Sequence, residues 1–104
     1  MKNAHLIFSP GNDAGTIEVL INGDLTIQNI PDFQERIMGQ VKNHNVIEVI
    51  VDEVTAIDLA FYQFLLSMKK TFELSAKQFK VLYNLPEDFE KLFENSGLKL
   101  NSND

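Results

Sequence analysis

Val46-Ile47-Glu48-Val49-Ile50-Val51-Asp52 runs into Glu53-Val54-Thr55-Ala56-Ile57-Asp58, and that into Leu59-Ala60-Phe61-Tyr62-Gln63-Phe64-Leu65-Leu66-Ser67-Met68-Lys69-Lys70. The first segment is β-branched, with Glu48 and Asp52 its only charges, which is the composition of a buried strand. In the last segment Phe61, Leu65 and Met68, continued by Phe72, fall on one helical stripe. Asp58 stands just before that stripe, where an N-cap belongs. A strand, a short loop from Asp52 to Asp58 and an Asp-capped helix set the helix N-terminus at the end of a sheet. Free N–H groups and the positive end of the helix dipole face outward there.

Upstream, His5-Leu6-Ile7-Phe8 and Thr16-Ile17-Glu18-Val19-Leu20-Ile21-Asn22 read as two strands, the second alternating apolar and polar residues. The segment between them, Ser9 to Gly15, is dense in turn formers, so an antiparallel hairpin with a long, mobile tip is expected. Gly23-Asp24-Leu25 follows the second strand at once. Asn29 is placed as an N-cap, with Pro31 and Asp32 in the first helical turn and Ile30, Phe33, Ile37 and Val41 on one stripe. Gly39 weakens this helix by ~1 kcal/mol relative to alanine. Downstream, Phe79 to Tyr83 is a strand, and Asn84-Leu85-Pro86-Glu87-Asp88 opens a last helix. Its inner face is Phe89, Leu92 and Phe93, and Ser96-Gly97-Leu98 closes it. This order predicts an α/β fold, a small mixed sheet of about four strands with about three helices packed mainly on one face.

A length of 104 residues fits a single domain over 1–104, with residues 1–3 and 101–104 expected to fray. The chain is 44% hydrophobic, enough for a real core. It has no cysteine, which removes disulfides and thiolate chemistry. A net charge of −6 argues against nucleic acid, whose phosphates need clustered Lys and Arg. No signal peptide or apolar run of membrane-spanning length is read, so a cytoplasmic protein without membrane insertion is expected.

Asp58-Leu59-Ala60-Phe61-Tyr62, with Leu65-Leu66 and Lys69-Lys70 behind it, resembles the STAS domain of sulfate transporters and bacterial anti-sigma-factor antagonists. Gly23-Asp24-Leu25 resembles that family's Gly-x-Leu step, and Ser96-Gly97-Leu98 its closing step. The likeness spans roughly residues 4–100. It implies the same small mixed sheet, and a non-catalytic, protein-binding role in signalling, with partner switching in the regulation of transcription. Asp58 matches the family aspartate beside the phosphorylated residue. Leu59 and Ala60 stand where the phosphorylatable hydroxyl lies, and Phe61 replaces a glycine. The scaffold therefore matches and the switch does not; Thr55 and Ser67 are the nearby hydroxyls to which phosphorylation has room to move.

Catalytic chemistry finds little support. His5 and His44 stand alone, no phosphate-binding Gly-rich loop or Gly-x-Ser-x-Gly elbow is present, and neither metal nor cofactor is expected. Asp52 and Asp58 read either as a carboxylate pair or as a strand-end acid plus a helix cap. Asp58 has two readings, a cap on the N–H of Ala60 or Phe61, or part of a partner surface. The apolar arc of the central helix exceeds the stripe a surface helix needs. Either the C-terminal helix covers the excess, or a partner or second copy does, near Phe61 and Phe64. Tyr62 and Leu65-Leu66 match the family's buried positions, so the Phe61 ring is expected to point outward as an interface anchor, the alternative being core.

The candidate partner-binding residues are thus Asp58, Leu59, Ala60, Phe61 and Phe64. The partner the resemblance implies is a serine-kinase-like anti-sigma factor, with homodimerisation as a further option. The alternative role is an accessory STAS-like subunit of a larger assembly such as a bacterial lipid-transport ATPase.

Overall fold

The computed structural model describes residues 4–85, 87 and 88. Ala4–Pro10 (β1) and Thr16–Leu25 (β2) pair antiparallel, with Ala4 opposite Gly23 and Pro10 opposite Ile17. Pro10 is tolerated because β1 is an edge strand, where a missing N–H breaks no second ladder. Pairing continues past the expected strand ends, so the tip shrinks to residues 11–15 and is closed by its own backbone. The Gly11 N–H donates to the Thr16 carbonyl (3.0 Å) and the Thr16 N–H to that of Asp13 (3.1 Å). Gly15 supplies the left-handed residue, at φ 88°.

A 3-10 turn over Ile27–Asn29 precedes α1, Ile30–Val41. The Asn29 side chain does not cap α1. Its Nδ2 donates back to the Asp24 carbonyl (2.7 Å), because the chain enters through the 3-10 turn and leaves Asn29 already in helical backbone. Val46–Ile57 (β3) lies parallel to β2, α2 spans Leu59–Leu74, and Gln78–Tyr83 (β4) lies parallel to β3. The strand order is β1-β2-β3-β4. Two right-handed crossovers stepping the same way across the sheet put α1 and α2 on one face. Glu87 and Asp88 are helical. The remainder of the expected third helix, with Phe89, Leu92 and Phe93, lies outside the described residues, as do both expected frayed ends.

The largest departure from the sequence reading is the end of β3. A loop is expected from Asp52 to Asp58, yet Val54, Ala56 and Ile57 pair with Gly23, Asp24 and Leu25 of β2. The register shifts around Gly23, where Glu53 takes φ 51° and Gly23 φ 96°. β4 pairs with β3 only as far as Tyr83 opposite Val51. Beyond that point β3 has one neighbour, so it can bulge and bend with β2 as a ribbon. Val54 and Ile57 bury their side chains in doing so.

The core lies between the sheet and the helices. Ile17, Val19 and Ile21 of β2, Ile47, Val49 and Val51 of β3, and Phe79 and Val81 of β4 face Phe33 and Ile37 of α1. Phe61, Leu65, Met68 and Phe72 of α2 complete it. Arg36 of α1 reaches the Leu6 carbonyl of β1 (2.9 Å), tying the helix to the far edge. The broad apolar arc of α2 is covered from two flanks. Phe33 of α1 meets Phe61 edge-on at 5.6 Å, and Tyr83 at the end of β4 approaches Tyr62 at 5.8 Å. Burial pushes both phenols above their ordinary value, and the neighbouring Tyr62 adds to the shift at Tyr83.

Two substitutions, one just past the end of α2 and one inside α1, test the local backbone. The end of α2 is a Schellman closure: the Lys77 N–H reaches the Phe72 carbonyl (2.9 Å) and the Ala76 N–H that of Glu73 (3.1 Å). Ala76 occupies the left-handed position at φ 62°, which glycine adopts without strain. Gly39 sits inside α1 with nothing within 4 Å of an added Cβ. Ala76→Gly and Gly39→Ala are each expected to raise stability by about 0.5–1 kcal/mol, read as higher denaturation midpoints in urea.

Candidate partner-binding site

The site forms where β2, β3 and α2 meet at the C-terminal ends of the parallel strands. Asp58 holds it together. Its Oδ1 accepts the Phe61 N–H (2.9 Å), the expected cap, and its Oδ2 accepts the Ile27 N–H (3.0 Å) from the 3-10 turn. The Asp58 N–H donates to the Leu25 carbonyl (3.1 Å). One carboxylate therefore satisfies the first turn of α2 and the entry to α1 together, and clamps both to the end of β2.

Neighbouring acids have partners of their own. The Thr55 hydroxyl donates to Asp24 Oδ1 across the β2–β3 ribbon. Asp52 Oδ1 accepts the Glu53 N–H (2.8 Å) and the Asn84 side-chain amide (3.0 Å). Asp52 and Asp58 thus share no donor and serve separate joints of the fold, which supports the strand-end and cap readings over a working carboxylate pair. Both histidines lie elsewhere: His5 is on β1, and His44 follows α1 and contacts the Gln40 carbonyl. Among the described residues no group of three or more His, Cys, Asp or Glu could hold a metal ion.

The five candidate residues divide. Leu59 is 38% exposed, and Asp58 and Ala60 are half-buried, so these three reach the surface. Phe61 does not: its ring is fully buried, edge-on to both Phe33 and Phe64 at 5.6 Å. Phe64 is buried as well. The outward anchor expected at Phe61 is therefore wrong in orientation. Capping fixes Phe61 in the first turn with its Cβ aimed at α1, and Phe33 offers an aromatic edge there. Ile27 is a surface residue the sequence reading did not single out. It is 61% exposed and joined to the Asp58 carboxylate by its N–H. Its signal was weak, because one isoleucine after a strand resembles a strand end. The resulting patch has two apolar side chains, Ile27 and Leu59, flanking a carboxylate.

The family model described as "Mlab, STAS domain" matches residues 10–99. The chain belongs to the STAS family. Comparison with curated proteins finds no match. Among solved structures this STAS domain is similar to the phosphorylated form of the Bacillus cell fate determinant SpoIIAA. The two are 17% identical over 90% of this chain and 85% of that one, with a TM-score of 0.65. It is also similar to the unphosphorylated form of the anti-sigma factor antagonist SpoIIAA, at 17% identity over 90% and 82% of the two chains, with a TM-score of 0.69. At that identity the likeness is one of fold. Among the described residues of this STAS domain no helix is long and apolar enough to cross a membrane.

Proposed function

We infer that this STAS domain is a non-catalytic, cytoplasmic module that binds a protein partner through Asp58, Leu59 and Ala60 together with Ile27. The observation that carries the reading is the exposed Ile27–Leu59 pair around a carboxylate whose own bonds make it rigid. A partner meets a preorganised patch, which lowers the ordering cost of binding. The partner class is a serine-kinase-like anti-sigma factor. No phosphate is expected at residues 59 and 60, since neither side chain has a hydroxyl. Thr55 is a poor substitute, because a phosphate there would face the Asp24 carboxylate that now accepts its hydroxyl. Ser67 is exposed on α2, one helical stretch away from the patch.

The missing hydroxyl also favours a second reading, an accessory subunit of an assembly such as a bacterial lipid-transport ATPase, since a permanent subunit needs no switch. Capture from the native host with wild type and Leu59→Glu, followed by mass spectrometry, separates the two. Recovery of a serine-kinase-like protein supports the first reading, and recovery of a transporter ATPase the second. In either case Leu59→Glu should leave the melting temperature within a few degrees and reduce capture by about tenfold or more. Equal capture by both proteins would remove the patch from the interface. Stoichiometric phosphate on Thr55 or Ser67 after incubation with the captured kinase and ATP would show a relocated switch.

A further inference from the structure

The face of the sheet turned away from α1 and α2 carries an apolar row in register across all four strands. Ile7 is paired with Leu20, Leu20 with Ile50, and Ile50 with Leu82. Ile7 is 50% exposed and Leu82 62%, while Leu20 and Ile50 between them are half-buried. No described helix or strand lies over this row. One step along the strands is the row Glu18–Glu48–Lys80, again in register. On the other side Asp52 stands two residues beyond Ile50, with Asn22 and His5 on the neighbouring strands. The apolar row is thus bordered by three carboxylates, Glu18, Glu48 and Asp52, and by one ammonium, Lys80.

We propose that this face docks an amphipathic helix of a partner protein, laid across the strands, with an apolar stripe bordered by Lys or Arg on both sides. Four strands about 4.8 Å apart span about 14 Å, the rise over about ten helical residues, so the stripe repeats at i, i+3, i+7 and i+10. Glu18 and Glu48 lie about 6–7 Å along the strands from the row, within reach of basic side chains on the helix flank.

Charge disfavours a second copy of this chain as the occupant. A two-fold axis running along the strands sets Glu18 against Glu48 of the other copy. An axis running along the apolar row sets Glu48 against Asp52. Either arrangement desolvates like charges face to face.

The test uses the full chain and two synthetic amphipathic helices of about 16 residues, identical in their leucine stripe, one flanked by lysine and one by glutamate. Binding is read by fluorescence anisotropy, with melting temperature and sedimentation measured in parallel. The lysine-flanked helix should bind and the glutamate-flanked one should not. The double variant Ile7→Gln/Leu82→Gln should weaken binding by about tenfold at unchanged melting temperature. Glu18→Gln/Glu48→Gln should weaken it and flatten its salt dependence, and Leu59→Glu should leave it unchanged. Absence of binding, equal binding of both helices, or binding indifferent to Ile7→Gln/Leu82→Gln would each overturn the proposal. A large melting-temperature drop in that variant would mean that the chain covers the row itself. A wild-type dimer that the variant dissociates would make the occupant a second copy. Both results count against a partner helix.

Discussion

Phe61→Ala is expected to destabilise the domain by about 3–5 kcal/mol, a drop of about 15–30 °C in melting temperature for a chain of this size. The ring is fully buried and contacts Phe33 of α1 and Phe64 of α2 edge-on. Its removal leaves a cavity where the two helices meet above the sheet, and the edge-to-face geometry that orients both partner rings goes with it. Because Ala is a good helix former, the loss reports packing and not helix propensity. Phe61→Leu should recover part of the loss, since it refills much of the volume without the aromatic edges. Thermal melts of both variants beside wild type check this, with sedimentation as a second readout. A melting temperature within a few degrees of wild type, with weakened association, would place the ring in an interface instead of the core.

The second large effect concerns Asp58. Its two oxygens accept N–H groups far apart in sequence, those of Ile27 and Phe61. Asp58→Ala removes a helix cap, costing ~1 kcal/mol, and takes the acceptor from a second, solvent-exposed backbone N–H, for a total of about 1.5–2.5 kcal/mol. Asp58→Asn keeps one acceptor oxygen and turns an amide NH₂ toward the other N–H, so about half the loss is expected. Urea denaturation orders the three proteins. Amide hydrogen exchange locates the effect: Asp58→Ala should lose protection at both Ile27 and Phe61, and Asp58→Asn chiefly at one of them. Protection retained at Ile27 in Asp58→Ala would show that the carboxylate is only a helix cap.

The local part of this chain was legible in its residues. A β-branched run over 46–51, an aspartate, and an apolar repeat at helical spacing specify β3, Asp58 and α2 through short-range rules, and Asp58 does accept the Phe61 N–H. Alternation in β2, Pro31 at the start of α1 and the turn-rich 9–15 segment likewise placed the hairpin and the first crossover. Four features came only with the tertiary structure. The extension of β3 to Ile57 depends on β2 bending with it once β4 has ended, and no window of β3 records where β4 stops. The second partner of Asp58 comes from Ile27, which chain proximity cannot supply. The direction of the Phe61 ring was decided by Phe33, because a wide apolar arc on one helix does not say which neighbour fills it. Finally, Ile7, Leu20, Ile50 and Leu82 are scattered single apolar residues in sequence. Strand pairing alone sets them in one row, since register is a relation between strands and not a property of any one of them.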